Sequence, residues 1–318
     1  MGPSNVHPSF ASEPRDRRVT PLDLALLLGL ATLWGGSYFF IRIAVPAFGP
    51  AALVALRVVI GGLLLWTAAR ATRRRIELRP HLPRLAILGL LNAALPYLLI
   101  SAAELHLTAS FAAILGATVP LFAAALGTRF LGERLGMARV GGLLMGVLGV
   151  AVMVGWGPMT LDVATLLSVL AMLAASASYA GAGIYTKLTL RGVPTFTLAL
   201  GQQLGAFVWL ALPGALLPPR TTPSLAAIGA LLALGALSTA VAYLLYFRLL
   251  ERVGPTKTTT VTYLIPIVGM LGGAVVLREP LTPGMLVGLA LVLGSVLLVN
   301  EVRFGALRPI RAESRSNS

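Results

Sequence analysis

The sequence predicts an all-α integral membrane protein whose ten transmembrane helices form two inverted repeats of five helices each. Two observations lead to this fold class. The 318 residues are 57% hydrophobic and only 11% charged, with a mean hydropathy of +0.87, whereas a soluble domain is about one-quarter charged. The chain also repeats itself at a fixed spacing of 146 residues, and such self-similarity is typical of a duplicated structural unit.

Four pairs of matching residues define the repeat. The pairs are Pro120 with Pro266, Glu133 with Glu279, Gly142 with Gly288, and Tyr97 with Tyr243. In both halves the proline and the glutamate mark the same design, an apolar helix that contains a proline, a charged corner and a second apolar helix. The spacing predicts a first repeat over 22–156 and a second over 162–300, with a polar tail over 1–21 and a basic tail over 301–318.

Ten stretches of the chain have the length of a membrane span, which requires about 20 apolar residues. They are residues 22–45, 50–69, 84–103, 108–129, 138–156, 162–187, 194–216, 224–249, 255–277 and 283–300. Because five is an odd number, we expect the second repeat to lie upside down relative to the first. Inverted repeats are a recurrent plan of secondary transporters, whose substrate site lies near the midplane of the membrane.

The distribution of positive charge predicts the orientation of these spans. If the amino terminus is cytoplasmic, 21 of the 25 Lys and Arg residues fall in cytoplasmic segments, whereas Arg220 and Arg278 are external and Arg42 and Arg57 lie within spans. This bias follows the positive-inside rule. Both tails are therefore predicted to be cytoplasmic, and Asp162 and Glu279 to face the periplasm. The net charge of +14 is explained by topology, and we expect no nucleic-acid partner.

The sequence lacks the motifs of thiolate metal sites, zinc sites and nucleotide-binding sites. It contains no cysteine, and its three histidines, His7, His81 and His106, fall in tails or loops. We find no nucleotide-binding loop and no paired histidines of the zinc type. We therefore expect no metal, no cofactor and no enzymatic activity.

Several short motifs in the two repeats resemble one family of carriers. The motifs are Leu33–Phe39, Pro50–Arg57, and the two hairpins Pro120–Glu133 and Pro266–Glu279. Together with the duplication, they resemble the EamA family of the drug/metabolite transporter superfamily over about residues 22–300. The resemblance implies a bacterial inner-membrane carrier, typically an exporter of amino acids or related metabolites that works by alternating access. The second repeat departs from it, with Tyr179-Ala180-Gly181 in place of Trp34-Gly35-Gly36.

Polar and aromatic side chains deep in the spans are the candidates for a substrate cavity. They are Trp34, Tyr38, Asn92, Tyr97, Tyr179, Tyr243, Tyr263 and Arg57. At this depth a hydroxyl or an amide needs a partner, so interhelical packing is the alternative for each, and it is the preferred role for Gln202 and Gln203. An intramembrane arginine must pair, snorkel or bind a ligand. By depth, Glu104 is the nearest acidic partner for Arg57, and the carboxylate of a substrate is the alternative.

Three prolines are candidates for helix breaks or gating, namely Pro96, Pro120 and Pro266. Each removes one hydrogen bond of its helix, and the freed carbonyl must find a partner or line a wet cavity. Pro96 has Ala242 as its counterpart in the second repeat, so we expect this break on one side only. Glycines four residues apart, such as Gly142 and Gly146, let helices approach closely, either within the chain or in a homodimer.

The function that the sequence favours is secondary transport of a small metabolite. No Asp, Glu or His lies at the midplane by helical counting, and proton-driven carriers generally relay through such groups. We therefore expect a neutral or zwitterionic solute to move down its gradient or by exchange, with Glu104 paired to Arg57 as the one exception. The alternatives are a membrane enzyme that acts on lipid-linked substrates, which would need catalytic residues clustered at one interface, and a sensor or scaffold without transport.

Overall fold

The computed structural model describes residues 19–156, 162–219 and 221–300, and all regular elements in these ranges are helices. Most of the predicted tail 1–21 and all of the tail 301–318 lie outside the described residues. So do Arg220 and most of the polar link between the predicted repeats, residues 157–161.

Twelve α-helices follow one another in the described ranges. They are α1 (Pro21–Ala71), α2 (Leu82–Gly89), α3 (Leu95–Ala103), α4 (Ala109–Gly116), α5 (Val119–Leu131), α6 (Met137–Gly155), α7 (Val163–Thr189), α8 (Thr195–Leu216), α9 (Leu225–Gly235), α10 (Ala242–Thr258), α11 (Val261–Val276) and α12 (Pro283–Val299). A 3-10 helix, Arg79–His81, precedes α2, and π-helices at Leu90–Ala94 and Ala236–Val241 join α2 to α3 and α9 to α10.

Seven helical stretches of the described residues are long and apolar enough to cross a membrane. They are Pro21–Ala71, Arg79–Ala103, Ala109–Leu131, Met137–Gly155, Val163–Thr189, Thr195–Leu216 and Leu225–Pro255. Two shorter apolar helices, α11 and α12, follow them. The prediction of an all-α membrane protein is therefore confirmed, but the count of ten spans is not.

The largest difference from the predicted spans lies in α1. This helical run has 51 residues, more than twice the length of about 20 that a span needs, whereas the sequence predicted two spans separated at residues 46–49. The run is interrupted at that point, because Gly49 has non-helical torsion angles (φ 71°, ψ 161°). A positive φ is readily adopted only by glycine, and Pro50 then starts the second part of the run.

Polar side chains mark the start of several helices. Thr20 and Asp23 form a capping box at α1. Thr108, Asp162 and Ser224 each accept a hydrogen bond from a backbone amide in the first turn of α4, α7 and α9. Because the first amides of a helix have no partner within it, such caps fix where each helix begins. At Asp162 the bond from the Thr165 amide lowers the pKa of the carboxyl.

The two halves of the chain share unusual backbone features at the predicted spacing. The π-helices begin at Leu90 and Ala236, 146 residues apart. Gly132 and Arg278, also 146 residues apart, both have a positive φ, of 68° and 56°. We predicted a helix break near Pro96 in the first repeat only, but the second repeat has an equivalent interruption at Ala236–Val241. A π-bulge frees backbone groups without a proline, so Ala242 does not prevent the equivalent break.

Glycine pairs are used for packing within the chain. A Cβ on Gly142 would lie 2.8 Å from the Val299 side chain, and one on Gly288 would lie 2.8 Å from Cβ of Met153. These contacts join α6, the last helix of the first half, to α12, the last helix of the second half. Packing within the chain accounts for these glycines, and the homodimer stays a prediction.

The centre of the molecule is α4. Residues 109–115 of this helix are all buried, and they pack against α1, α7 and α11. Small residues such as Ala112 and Ala113 allow these neighbours to approach closely. The helix therefore connects the first half of the chain to the second. Its last residue, Gly116, lines the central cavity that is described below.

Candidate functional site

A central cavity of about 580 Å³ lies between the two halves of the chain. Its walls come from α1, α2, α3, α4, α5, α7, α8, α10 and α11 and the π-helix Leu90–Ala94. Ligand pockets for small molecules commonly enclose 300–1,000 Å³, so the volume suits a small metabolite. Most of the surface of the wall is apolar, although many of the residues that line it carry a hydroxyl, amide or other polar group.

The structure brings most of the predicted site residues together on this wall. Seven of the eight cavity candidates line it, namely Trp34, Tyr38, Arg57, Asn92, Tyr97, Tyr179 and Tyr243. Of the three prolines, Pro120 and Pro266 line it as well. Pro120 is the second residue of α5, after a turn at 117–118 that interrupts the predicted span. A role of these residues in substrate binding remains a prediction.

Two candidates lie away from the cavity. The hydroxyl of Tyr263 accepts a hydrogen bond of 2.8 Å from Nδ2 of Asn300, and its ring packs with Leu121 and Val296. Pro96 is buried at the start of α3 and is absent from the wall. Tyr263 was predicted from its depth along the helix, and depth does not determine which face a side chain occupies. Pro96 was predicted as a helix break, and that role stays a prediction.

Arg57 is the one charged residue among the described residues that line the cavity. It is 5% exposed. Its Nε donates to Oγ1 of Thr239 at 3.2 Å, and the guanidinium carbon lies 3.9 Å from the ring centroid of Tyr97, a cation–π geometry. In the part of the chain that is described, no carboxylate forms an ion pair with it, so the predicted partnership with Glu104 is not formed.

The partner of Arg57 depends on the second π-helix. Thr239 lies in Ala236–Val241, and its hydroxyl donates to the Leu234 carbonyl at 2.9 Å. Oγ1 can therefore accept from Arg57 at the same time. Arg57 is held by one hydrogen bond and one aromatic face, and its terminal amino groups carry the positive charge of a wall that is otherwise uncharged.

A chain of side-chain hydrogen bonds joins three residues of the cavity wall, Asn92, Gln202 and Tyr243. Nδ2 of Asn92 donates to Oε1 of Gln202 at 2.7 Å, and Nε2 of Gln202 donates to the Tyr243 hydroxyl. Trp34 packs edge-on against Tyr243, with ring centroids 6.3 Å apart. A hydrogen-bonded network of this kind rigidifies the side chains that form it.

Sequence reasoning missed part of this wall. Gln202 was predicted to bridge helices, and it does so, but it also lines the cavity. The neighbouring Gln203 is 1% exposed, and its amide has no hydrogen-bond partner among the described residues. The wall also includes hydroxyl residues that the sequence did not single out, Thr186, Thr195, Thr258, Thr259 and Thr262. The run of threonines at 258–260 in an apolar segment is the signal that could have indicated them.

One end of the molecule is closed by a contact between the two halves. We call it the Glu279 contact: the Glu279 carboxylate accepts hydrogen bonds from the backbone amides of Ala109 at 2.8 Å and Ser110 at 2.9 Å. The Ser110 hydroxyl adds a third bond of 2.6 Å. A carboxylate at a helix N-terminus is favoured by the unpaired amides and by the helix dipole. Glu279, which the sequence predicted at a periplasmic corner, is therefore half-buried and hydrogen-bonded to the N-terminus of α4.

The equivalent corner of the first repeat has different partners. Glu133 forms ion pairs with Arg139 at 3.2 Å and with Lys187 at 3.9 Å. These three residues line a second cavity of about 440 Å³. Val119, Pro120, Tyr179 and Gly183 line both cavities, so the second cavity adjoins the first at the end opposite to the Glu279 contact.

The comparisons with known proteins agree with this architecture. The model of the EamA-like transporter family matches residues 22–155 and 166–301. A transporter of Bacillus subtilis, YvbV, is 29% identical over 87% of this chain and 91% of its own length. A probable terminal-alkyne amino-acid exporter of Streptantibioticus cattleyicolor is 28% identical over 92% and 97%.

Two further comparisons extend this result. The inner membrane transporter YedA of Escherichia coli K12 is 27% identical over 90% of this chain and 92% of its own. A solved crystal structure with 21% identity has the same fold, with a TM-score of 0.60 over 88% of this chain and 96% of that chain. The resemblance deduced from the sequence is thereby confirmed. The protein is a membrane transporter, and its chain belongs to the EamA-like transporter family.

Proposed function

We propose that the protein is a secondary carrier that exports small metabolites bearing a carboxylate, such as amino acids or related compounds, by alternating access around the central cavity. The observation that carries this proposal is Arg57, a buried cation on a cavity wall that presents no acidic side chain among the described residues. Such a site favours a solute whose negative charge can pair with the guanidinium. The name of the Streptantibioticus relative, an amino-acid exporter, agrees with this class.

The carrier works as ten spans in two inverted repeats. Division of α1 at Gly49, together with α11 and α12 as short spans, gives five spans in each half. The matched π-helices and the matched positive φ values at Gly132 and Arg278 support the repeat. In such carriers the two halves rock around a fixed midplane site. The Glu279 contact closes the outer side, and the second cavity forms the path on the cytoplasmic side.

The topology of the proposal follows the charge bias. The carrier lies in the inner membrane of a bacterium with both termini cytoplasmic, because 21 of its 25 Lys and Arg residues then fall inside. YedA, a relative, is named as an inner membrane transporter. In this orientation the Glu279 contact faces the periplasm.

Transport by the purified protein tests the proposal. Proteoliposomes loaded with a mixture of unlabelled amino acids should accumulate a radiolabelled member of the mixture by exchange, whereas protein-free liposomes should not. A carrier with a preference will do so for some amino acids and not for others. If no carboxylated metabolite exchanges faster than in protein-free liposomes, the proposed function is wrong.

A further inference from the structure

Glu104 is a buried carboxyl group that the proposed substrate site does not use. It follows α3 at the start of the turn 104–106, and its exposure is 0%. Neither of its carboxyl oxygens has a hydrogen-bond partner among the described residues. The guanidinium of Arg42 binds the backbone oxygen of Glu104 instead of its side chain. An ionised carboxylate in such surroundings would lose its hydration without replacement.

Four charged or titratable groups act on Glu104 from the elements around it. Arg42, Arg57 and Tyr38 belong to α1, and Glu279 belongs to the segment before α12. Burial raises the pKa of Glu104 well above its ordinary range, the charge of Arg42 opposes that rise, Glu279 adds to it, and Arg57 opposes it. Desolvation is the largest of these effects, so burial favours the protonated form of Glu104 in this conformation.

The position of Glu104 relates it to both the cavity and the Glu279 contact. The amide of Glu104 donates to the Ile100 carbonyl at 2.9 Å, and Ile100 lines the central cavity. Five residues further along, the chain reaches Ala109 and Ser110, which hold the Glu279 carboxylate. Along the chain, Glu104 therefore lies between a residue of the cavity wall and the residues that hold the Glu279 carboxylate. We expect separation of Glu279 from α4 to admit water to it.

We propose that Glu104 is a proton-binding site that is linked to the closure: it holds one proton while the Glu279 contact is formed and releases it when that contact opens. The proposal rests on the alternating-access cycle above, in which the contact must open. On release, the O–H bond of the carboxyl breaks, the electron pair stays on the carboxylate oxygen, and water takes the proton. Arg42 has a larger electrostatic effect on Glu104 than Arg57 has, so Arg42 is the main cation that would stabilise the new carboxylate.

The direction of the pH effect follows from linkage. The closed conformation binds the proton more tightly than the open one, so it is favoured at low pH. As the pH rises through the interval between the carboxyl's open-state and closed-state pKa values, this preference is lost. One linked proton changes the ratio of open to closed protein by at most about tenfold per pH unit. This site differs from a midplane relay, because it lies at the end of a span.

The experiment measures opening through a cysteine under the Glu279 contact. The chain contains no cysteine, and the Met270 side chain is 6% exposed while its carbonyl accepts a bond from the Ser110 hydroxyl. Met270→Cys in the full chain is labelled in proteoliposomes with a soluble maleimide between pH 5 and pH 9. The same substitution is combined with Glu104→Gln, with Glu104→Asp, and with Glu77→Gln, an exposed carboxylate that serves as the matched control.

Expected and contrary results are distinct. The ionisation of the cysteine itself is common to all variants, so the comparison is between variants at each pH. From pH 5 to pH 9, we expect labelling of the protein that retains Glu104 to rise several-fold more than labelling of Glu104→Gln. Glu77→Gln should behave like the parent. Glu104→Asp should retain a pH dependence. An equal pH dependence with Glu104 and Glu104→Gln would overturn the proposal.

A second measurement does not depend on whether Glu104→Gln folds. At about pH 6, above the ordinary glutamate pKa of about 4.3, the infrared spectrum of the parent protein should contain the band of a protonated carboxyl group, which Glu77→Gln retains. Absence of this band in the parent also overturns the proposal. Neither measurement uses a transported solute, so failure here leaves the proposed function intact, and failure of the exchange assay leaves these results readable.

Discussion

The Ser110 hydroxyl donates a hydrogen bond of 2.6 Å to the carboxylate of Glu279, although the two residues are 169 positions apart in the chain. Two backbone amides of α4 bind the same carboxylate. The contact joins the first half of the chain to the second at one end of the central cavity. Because the equivalent Glu133 pairs with Arg139 and Lys187 instead, the two ends of the molecule are in different states.

Removing the charge of Glu279 should open this end. Glu279→Gln keeps the size of the side chain but replaces one accepting oxygen with an NH2 group that faces backbone amides. We therefore expect the closed conformation to lose about 1–3 kcal/mol of stability. Labelling of Met270→Cys by a soluble maleimide should rise by about fivefold or more. Glu133→Gln, the change at the equivalent position, is the control and should leave labelling unaltered. A larger effect of Glu133→Gln than of Glu279→Gln would refute this role.

The glycines between α6 and α12 should be sensitive to a single methyl group. A Cβ at Gly288 would lie 2.8 Å from Cβ of Met153 and 3.0 Å from the Gly149 carbonyl, whereas Gly141 has open space at the same position. Overpacking costs about 1–3 kcal/mol, and alanine gains about 1 kcal/mol over glycine in a helix. We expect Gly288→Ala to lower the melting temperature in detergent and Gly141→Ala to leave it equal or higher. The opposite order would contradict the packing described for these helices.

The orientation in the membrane can be measured with an impermeant thiol reagent in intact cells. Leu281→Cys, beside Glu279, should be labelled from outside, and Arg75→Cys, in the loop between α1 and α2, should not. Both positions are exposed, so access to the reagent depends on the side of the membrane. Lysed cells provide the control in which both are labelled. Labelling of Arg75→Cys alone in intact cells would reverse the proposed topology.

The hydrogen-bonded chain on the cavity wall should determine which solutes are accepted. Asn92→Ala removes the donor to Gln202, and Tyr243→Phe removes the hydroxyl that Gln202 binds. We expect both to change the ratio of transport rates among amino acids by about fivefold or more, while expression is maintained, since a neutral hydrogen bond contributes about 1 kcal/mol. Tyr185→Phe is the control, because Tyr185 is not part of the wall. Unchanged ratios in both variants would remove these residues from the site.

Much of the fold could be predicted because it depends on local composition and on repetition. Apolar length identifies helices in a membrane, and the offset of 146 residues relates Leu90 to Ala236 as it relates Glu133 to Glu279. The π-helix at Ala236–Val241 could not be predicted. Its sequence contains no proline, and the hydrogen bond from the Thr239 hydroxyl to the Leu234 carbonyl of α9 is not evident from the sequence.

Long-range partners were the least predictable part of the site. Depth along the helices favoured Glu104 as the partner of Arg57, but the guanidinium turns toward Thr239 and the face of Tyr97. Likewise, Glu279 was expected in a charged corner that faces the periplasm, and its bonds to α4 depend on how the two halves of the chain pack. Helical counting gives the depth of a residue, whereas contacts between helices depend on rotation about each axis.

Arg57 provides the most direct test of the proposed function. Exchange in proteoliposomes is measured for a panel of amino acids and, for each, the amine that lacks the carboxylate. The variants are Arg57→Met, Arg57→Lys and, as the control, Arg248→Gln at an exposed cation of α10. Loss of a buried charge partner costs about 2–5 kcal/mol, which corresponds to at least about a thirtyfold loss of transport.

We expect the parent and Arg248→Gln to exchange the amino acids in preference to the amines. Arg57→Met should lose this preference through a loss of amino-acid exchange, and Arg57→Lys should retain part of it, because the charge remains while the bidentate geometry does not. If Arg57→Met exchanges amino acids and amines in the same ratio and at the same rates as the parent, then the cavity does not recognise a carboxylate through Arg57, and the proposed substrate class is wrong.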